Sequence, residues 1–255
     1  MIKNKIAVIT GAGRGIGKGI AEKFVDEGHI CILIARNSNE TKKVIEKINN
    51  KSQLFFEKCD IIDEKSVKKT VSKIIKKFGQ IDILVNSAAS SPAVSPSHKL
   101  NLKDWNKVIG TDLTGTFIFC REVGKYMIKN KNGRIINISS FHSIATYPER
   151  VAYASAKTGV IGLTKALSIE WGKYGITVNS VSPGPIKTPR TNYFLSLDPK
   201  SEKRMLKRTP LGRLGEVKDV SNLVSYLASN EASFVTGQNI IIDGGWTSSG
   251  WFGEY

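Results

Sequence analysis

The chain has 255 residues and a formal net charge of +16, with 40% hydrophobic and 24% charged residues. This composition is typical of a globular protein and excludes a wholly disordered, collagen-like or coiled-coil chain. No apolar run approaches the roughly 20 residues of a membrane-spanning helix, and no signal peptide is evident, so we expect a cytoplasmic protein.

Short apolar runs alternate along the chain with longer amphipathic segments. The runs that predict strands are Ile6–Ile9, Ile30–Ile34, Leu54–Phe56, Ile81–Val85, Arg134–Ile138, Thr177–Val181 and Asn239–Ile242. The segments with helical periodicity are Gly17–Glu27, Asn39–Asn49, Glu64–Phe78, Trp105–Lys129, Tyr153–Tyr174 and Glu216–Leu227. The pattern predicts an α/β fold, a single doubly wound Rossmann-type parallel sheet of about seven strands with helices on both faces. We expect one domain over residues 1–255, with a long substrate loop or lid at about 185–215.

A glycine-rich turn follows the first predicted strand. It reads Thr10-Gly11-Ala12-Gly13-Arg14-Gly15-Ile16-Gly17 and leads directly into a helix. Glycines here let the backbone turn tightly and approach a pyrophosphate, which then lies at the helix N-terminus. At the first β–α turn of an alternating pattern the motif predicts a dinucleotide site, with a plain glycine turn as the alternative.

The end of the second predicted strand indicates which dinucleotide is bound. Sites that prefer NAD usually carry an acidic residue about 20 residues past the glycines, where it holds the ribose 2′-hydroxyl. This chain has Arg36 there, and Arg14 inside the glycine turn. Two guanidinium groups suit a 2′-phosphate, so the pair predicts NADP(H) rather than NAD(H), unless either arginine is simply exposed.

A tyrosine and a lysine open the long predicted helix that follows the fifth strand. The sequence reads Tyr153-Ala154-Ser155-Ala156-Lys157, and Ser140 lies thirteen residues before the tyrosine. Residues four apart share one helical face, so the ammonium group can lie beneath the phenol and stabilise a phenolate. The tyrosine can then donate and accept a proton near neutral pH. Alone, such a pair is common on any helix.

Together these motifs resemble the short-chain dehydrogenase/reductase family of the standard cytosolic type, over nearly the whole chain. The glycine motif, Asp60, Asn86-Ser87-Ala88-Ala89, Ser140, Tyr153, Lys157 and Pro183-Gly184 occur in the family's order. The resemblance implies that Tyr153 is the general acid/base, that Ser140 orients the substrate carbonyl and that Lys157 binds the nicotinamide ribose. It implies cofactor contacts from Gly11, Arg14, Gly15, Ile16, Gly17, Arg36, Asp60, Ile61, Asn86, Ala88, Tyr153, Lys157, Pro183, Gly184, Ile186 and Thr188.

One departure from the family pattern lies in the fourth predicted helix. The chain reads Thr111-Asp112-Leu113-Thr114-Gly115 where the family normally has asparagine in place of Asp112. In the family this asparagine shapes a helix kink whose backbone carbonyl holds a proton-relay water. Asp112 keeps that carbonyl and adds a negative charge near Lys157, so we include it with Ser140, Tyr153 and Lys157 in the predicted catalytic set.

The resemblance predicts an NADP(H)-dependent oxidoreductase that interconverts a ketone and a secondary alcohol. Within the family, the general similarity points first to 3-oxoacyl-(acyl-carrier-protein) reductases. A sugar or polyol dehydrogenase is an alternative because His142 and Arg150 are polar, and parts of the chain also resemble 2,4-dienoyl-CoA reductases. Those reductases usually lack the tyrosine at position 153. An alternative of another class, a cofactor-binding regulatory protein without turnover, is supported only by Asp112.

The remaining predictions concern partners. The excess lysines are scattered over helix faces without interleaved aromatic residues, so we expect neither nucleic acid nor membrane as partner. Three widely spaced cysteines and three histidines predict reduced thiols and no metal site. By the family resemblance we expect a homotetramer, or a homodimer, and we expect the aromatic tail at 244–255 to dock at a subunit interface.

Overall fold

A single sheet of seven parallel strands organises the molecule. The computed structural model describes residues 4–36, 41, 44–46, 48, 51–91, 93–198 and 200–250. Within them the strands are β1 (Ile6–Thr10), β2 (Ile30–Ala35), β3 (Leu54–Lys58), β4 (Ile83–Asn86), β5 (Gly133–Ile138), β6 (Ile176–Pro183) and β7 (Asn239–Ile242). Their spatial order is β3-β2-β1-β4-β5-β6-β7, and all neighbours are parallel. The predicted doubly wound fold is confirmed.

Helices cover both faces of this sheet. They are α1 (Gly15–Asp26), α2 (Glu64–Phe78), α3 (Leu102–Ile109), α4 (Gly115–Asn130), α5 (Val151–Trp171), α6 (Pro189–Leu197), α7 (Lys200–Arg208) and α8 (Val217–Ala228). Helices α1 and α8 pack in one apolar core, whereas α2, α4 and α5 pack in a second core on the opposite face.

The central strands read as unbroken apolar runs because both of their faces are covered. Successive side chains of a strand point to opposite faces. In β1, Ala7 and Ile9 enter the core beneath α1 and α8, while Val8 between them enters the core beneath α2, α4 and α5. All three are fully buried. A polar residue at any of these positions would be buried without a partner, which explains the composition of the strands.

The structure differs from the sequence predictions at two helical segments. The predicted helix Trp105–Lys129 is two helices, α3 and α4, joined by a π-helical turn at Gly110–Thr114. Helix α3 starts earlier than predicted because the Asn101 side chain accepts a hydrogen bond from the backbone N–H of Asp104 (2.8 Å), which caps the helix.

The segment predicted as a long loop at about 185–215 contains α6 and α7. Thr188 caps α6, since its hydroxyl oxygen accepts the backbone N–H of Thr191 at 3.2 Å, and Pro189 occupies the first helical turn. Each of these helices has nine residues and no buried residue among those described, so neither provides the long apolar stripe from which a core helix is predicted in sequence.

Several sequence predictions fall on or near segments that the structure does not describe. The predicted helix Asn39–Asn49 lies mostly outside the described residues, as do residues 251–255 of the aromatic tail.

Cys31, Cys59 and Cys120 are free and buried, as expected for structural thiols. Within the described part of the chain, no helix is both long and apolar enough to span a bilayer.

Candidate active site

The main cavity opens where the strand order reverses. Strand β1 lies between β2 and β4, and the residues that end β1 and β4, Thr10 and Asn86, are paired in the sheet. Loops that leave these two strands diverge to opposite faces and create a crevice at the carboxyl edge, which is where open α/β sheets bind ligands. The cavity has a volume of about 410 Å³. It is large enough for a substrate beside part of a dinucleotide.

The glycine turn forms one wall of the cavity. Gly11 has φ +68°, and a Cβ atom on it would lie 2.6 Å from the Cα of Ala88, so no larger residue fits. A Cβ on Gly17 would lie 2.5 Å from the carbonyl oxygen of Gly11. The Thr10 hydroxyl oxygen accepts the backbone N–H groups of Ser87 and Ala88, both at 3.1 Å. The turn therefore presents bare backbone at the N-terminus of α1, which fits a pyrophosphate group.

All but one of the predicted cofactor residues line this cavity. The lining residues are Gly11, Arg14, Gly15, Ile16, Gly17, Arg36, Asp60, Ile61, Ala88, Tyr153, Lys157, Pro183, Gly184, Ile186 and Thr188. The exception is Asn86, whose buried side-chain amide donates to the Asn137 side-chain oxygen at 2.9 Å and to Cys120 Sγ at 3.2 Å. Asn86 thus connects β4 to β5 beneath the cavity, and does not line it.

Arg14 and Arg36 lie at the same end of the cavity. Neither forms an ion pair or side-chain hydrogen bond with any described residue. Asp60 contributes the one carboxylate among the described residues that line the cavity, and its Oδ1 accepts the backbone N–H of Ile62 at 3.3 Å. The two guanidinium groups are therefore available to an anionic group of a bound ligand.

Lys157 is buried and held in place by the backbone. Its Nζ donates to the carbonyl oxygen of Ile138 at 2.9 Å and lies 5.7 Å from the centroid of the Tyr153 ring. The Ser139 hydroxyl donates to the backbone carbonyl of Lys157 at 2.8 Å. These contacts tie the start of α5 to the end of β5 and fix a positive charge beneath the phenol.

Ser140 stands at the mouth of the cavity directly after β5. Its extended backbone starts a short turn, in which the Ser140 hydroxyl oxygen accepts the backbone N–H of His142 at 3.2 Å. This contact uses the oxygen as an acceptor and leaves the hydroxyl hydrogen available to donate. Ser140 and Tyr153 both line the cavity, so both of their hydroxyl groups are available there as hydrogen-bond donors.

Asp112 lies behind Lys157 and does not line the cavity. The π-helical turn directs its side chain inward, where it is 0% exposed. One carboxylate oxygen accepts the backbone N–H of Ser90 at 2.7 Å, and the other lies 3.6 Å from Lys157 Nζ. Asp112 therefore balances the lysine charge and holds the loop after β4. Its position supports a role in positioning Lys157, not direct contact with substrate.

Replacing Asp112 by leucine is expected to lower the free energy of unfolding by about 3 kcal/mol, because the buried ammonium of Lys157 loses its counter-charge and Ser90 loses its acceptor. Urea denaturation of both proteins measures the difference. Asp26→Leu, at the exposed end of α1, is the matched control and should change stability by less than about 0.5 kcal/mol. Equal stability of wild type and Asp112→Leu would contradict the assigned ion pair.

The wall opposite the glycine turn comes from residues that the sequence did not single out. Phe141, Tyr147, Phe194 and Met205 line it. Trp246 packs behind them, 1% exposed, with its ring centroid 4.6 Å from that of Phe141. Phe194 and Met205 come from α6 and α7, where the sequence predicted a loop. The capping threonine and proline that start α6 are the signal that could have revealed the first of these helices.

His142 lies between this aromatic wall and Tyr153. Its ring centroid is 5.6 Å from that of Tyr153, and Nδ1 lies 3.0 Å from the Thr146 hydroxyl oxygen. Burial, and secondarily the positive charge of Arg150, lowers the pKa of His142 to about 4. The imidazole is therefore neutral at physiological pH, and it lines the cavity.

The lowered pKa of His142 predicts a pH-dependent stability. Between its ordinary value of 6.5 and about 4, the unfolded chain binds a proton that the folded protein does not, so stability falls as pH is lowered through this window. A His142→Gln variant should lose less stability between pH 7 and pH 5 than wild type, measured by urea denaturation. His98→Gln, at an exposed histidine, is the control. The same loss in wild type and His142→Gln would contradict the assignment.

The described residues do not form a metal site. No group of three or more His, Cys, Asp or Glu side chains among them is arranged to hold a metal ion.

Comparison with known proteins places this arrangement among nucleotide-dependent reductases and dehydrogenases. Residues 11–247 match a family model described as enoyl-(acyl carrier protein) reductase. The chain is 38% identical over 243 residues to a 3-oxoacyl-[acyl-carrier-protein] reductase from Buchnera aphidicola, covering 94% of this chain and 96% of that protein. It is 37% identical over 245 residues to the BbsD subunit of (2S)-[(R)-hydroxy(phenyl)methyl]succinyl-CoA dehydrogenase from Thauera aromatica, covering 96% and 97%.

A solved structure with bound cofactor has the same fold. The structure titled ElxO with NADP bound superposes with a TM-score of 0.92 at 33% identity, covering 97% of this chain and all of that one.

Proposed function

Because the chain belongs to the short-chain dehydrogenase/reductase family, we propose that it is an NADPH-dependent reductase of 3-oxoacyl thioesters. As a member of that family it is an NAD(P)-dependent oxidoreductase that interconverts a ketone and a secondary alcohol. The observation that carries the proposal is the buried Lys157, fixed by the Ile138 carbonyl beneath Tyr153 at the cavity.

The proposed mechanism follows from the positions of these groups. A bound nicotinamide supplies the hydride that adds to the carbonyl carbon. Tyr153 donates its phenolic proton to the carbonyl oxygen, so that the C=O double bond becomes a C–OH single bond. Ser140 donates a hydrogen bond to the same oxygen and orients it. Lys157 offsets the negative charge that remains on the phenolate until a proton from solvent restores it.

The cofactor preference is proposed from the two arginines at the far end of the cavity. Arg14 and Arg36 are both free of acidic partners in the described chain, and no acidic residue stands at the end of β2. A 2′-phosphate would bring two negative charges to that place and form charge-assisted hydrogen bonds with both groups. These features support NADP(H) over NAD(H).

The substrate class is proposed from the wall of the cavity and from the relatives. The aromatic side chains Phe141, Tyr147 and Phe194 suit an acyl chain, and the curated relatives from Buchnera and Thauera act, by their names, on acyl thioesters. The chain's excess of positive charge also suits an acidic carrier protein. The matching family model is named for reduction of a carbon–carbon double bond. The Ser140, Tyr153 and Lys157 set favours the carbonyl reaction, because it delivers a proton to oxygen.

The test is the loss of NADPH absorbance with acetoacetyl-CoA, beside crotonyl-CoA as the carbon–carbon double-bond substrate. We expect turnover of acetoacetyl-CoA to 3-hydroxybutyryl-CoA, faster with NADPH than with NADH, and little or no turnover of crotonyl-CoA. Preferential reduction of crotonyl-CoA would mean that the substrate is an enoyl thioester and not a ketone. No turnover of either would remove the acyl-thioester assignment and direct the search to polyols in the oxidative direction.

We propose further that the protein works in the cytoplasm as a homotetramer, with α6 and α7 as the lid of a single domain. Exposed apolar residues on α4 and α5, Phe117 (40% exposed) and Ile169 (84% exposed), support a subunit interface on these helices. Light scattering coupled to gel filtration measures the mass, and a monomer would contradict the proposed assembly.

A further inference from the structure

Two arginines at the substrate end of the cavity have no part in the chemistry described so far. Arg150 precedes α5, three residues before Tyr153, and Arg190 lies in the first turn of α6. Both line the cavity. The guanidinium carbon of Arg150 lies 5.9 Å from the centroid of the Phe194 ring. Arg190 is four residues before Phe194 on the same helix, so it shares that face of α6. Two positively charged side chains therefore line the cavity near Phe194.

These arginines line the cavity without a direct carboxylate partner, although the exposed Glu149 carboxylate beside Arg150 attracts it at longer range. Arg190 donates to the backbone carbonyl of Ala89 at 3.2 Å, and Arg150 donates to that of Glu149 at 3.3 Å. Neither forms an ion pair with a described residue. The single carboxylate among the described lining residues, that of Asp60, follows β3 at the cofactor end. Partly buried guanidinium groups normally have carboxylate or phosphate partners, so the arrangement leaves a place for an anion.

We propose that Arg150 and Arg190 bind an anionic group that the substrate carries close to its ketone, a carboxylate or a phosphate. The proposal rests on ketone reduction at Ser140 and Tyr153 and adds a second recognition element to it. Phe194 contacts the chain that joins the carbonyl to the anion, and the neutral His142 offers a further hydrogen bond. A guanidinium group binds either anion through paired N–H donors, which fixes the substrate in one orientation.

The alternative sources of the anion are the cofactor and the pantetheine arm of a thioester. The 2′-phosphate is assigned to Arg14 and Arg36 at the opposite end of the cavity, so Arg150 and Arg190 do not have to bind it. A phosphate on a pantetheine arm is remote from the carbonyl, whereas Arg150 is three residues from Tyr153. Each of these two sources predicts a different loss in the arginine variants, either of NADPH binding or of acetoacetyl-CoA turnover.

The experiment compares charged ketones with neutral partners of the same shape. One pair is 4-oxo-4-phenylbutanoate and its methyl ester, which tests a carboxylate beside an aromatic ketone. The other is dihydroxyacetone phosphate and dihydroxyacetone, which tests a phosphate. For at least one pair, wild type should show a kcat/KM about 10-fold or more higher for the charged member. The pair that shows this difference in kcat/KM identifies the anion as a carboxylate or a phosphate.

The variants then assign the effect to the two arginines. Arg150→Gln and Arg190→Gln should each lower kcat/KM for the charged substrate about 10-fold and change that for its neutral partner by less than about 3-fold. Lys173→Gln, an exposed lysine just after α5, removes one charge away from the cavity and should change neither. The Kd for NADPH, measured by fluorescence, should be the same in all four proteins.

Four results would overturn the proposal. The first is an equal kcat/KM for charged and neutral members of both pairs in wild type. The second is an equal loss for both members in the variants, which would indicate a structural role. The third is a weakened Kd for NADPH, which would assign the arginines to the cofactor. The fourth is a loss confined to acetoacetyl-CoA, which would assign them to the pantetheine phosphate. Turnover of acetoacetyl-CoA by wild type would show that the proposed function stands even when this inference fails.

Discussion

Replacing Tyr153 by phenylalanine is expected to lower kcat for ketone reduction by about 10²–10⁴-fold, because the variant has no proton to give to the carbonyl oxygen. The ring remains, so its edge contact with His142 and its place above Lys157 are preserved. Binding of NADPH should therefore change little. Steady-state NADPH oxidation measures the first effect, and a fluorescence titration with NADPH measures the second.

A matched control variant distinguishes the loss of the proton donor in the cavity from the loss of a phenol elsewhere in the chain. Tyr226→Phe removes a phenol on the exposed side of α8 and should leave kcat unchanged. If Tyr153→Phe retained wild-type kcat on every accepted ketone, the role given to Tyr153 would be wrong. If its Kd for NADPH rose as much as its kcat fell, the effect would be one of cofactor binding.

Replacing Arg14 and Arg36 together by glutamine should reduce the preference for NADPH over NADH by about 10³-fold. Each charge-assisted hydrogen bond to a 2′-phosphate contributes roughly 1.5–3 kcal/mol, and 1.4 kcal/mol corresponds to a factor of ten. NADH has no phosphate at this position, so its kcat/KM should change only slightly. The measurement is kcat/KM for each cofactor with one saturating ketone.

The single variants and one distant arginine complete that comparison. Each single change, Arg14→Gln or Arg36→Gln, should account for part of the loss. Arg204→Gln, on α7 and paired with Asp198, should leave the ratio of the two cofactors as it is in wild type. An equal decrease in kcat/KM with NADPH and with NADH in the double variant would mean that the arginines support the glycine turn itself and do not bind the 2′-phosphate.

The strands and the glycine turn could be predicted because their signals are local. β1 and β2 are covered on both faces, so their apolar runs are unbroken, and the turn needs glycine wherever a Cβ would collide with backbone. The pairing of Tyr153 with Lys157 is local as well, since one helical turn brings them together. These features define the cofactor half of the cavity.

The substrate half could not be predicted because its contacts join distant parts of the chain. Trp246 meets Phe141 across more than one hundred residues, and no periodicity in either segment indicates it. Helices α6 and α7 are short and bury no described residue, so they lack the long apolar stripe of a core helix. The amide of Asn86 donates to the side-chain oxygen of Asn137 between β4 and β5, beneath the cavity. Buried polar pairs of this kind depend on strand register, which the sequence does not display.

The reversal of strand order at β1 has a consequence for how the protein reaches its native state. β1 pairs with β4, so Ala7 lies beside Ile83, and the intervening chain must cross to β2 and β3 first. Among the described strands, β1 and β4 are the one pair of neighbours that is not consecutive in the chain. The other neighbours are consecutive strands joined by crossover segments, and parallel sheets fold slowly because loop closure precedes the contacts that reward it. The cofactor crevice is lined by residues from Gly11 to Met205, so it is complete only when these segments have come together. By mass action, a ligand that binds only this completed crevice stabilises the whole fold. The concentration of that ligand in the cell then governs how long the chain survives proteolysis.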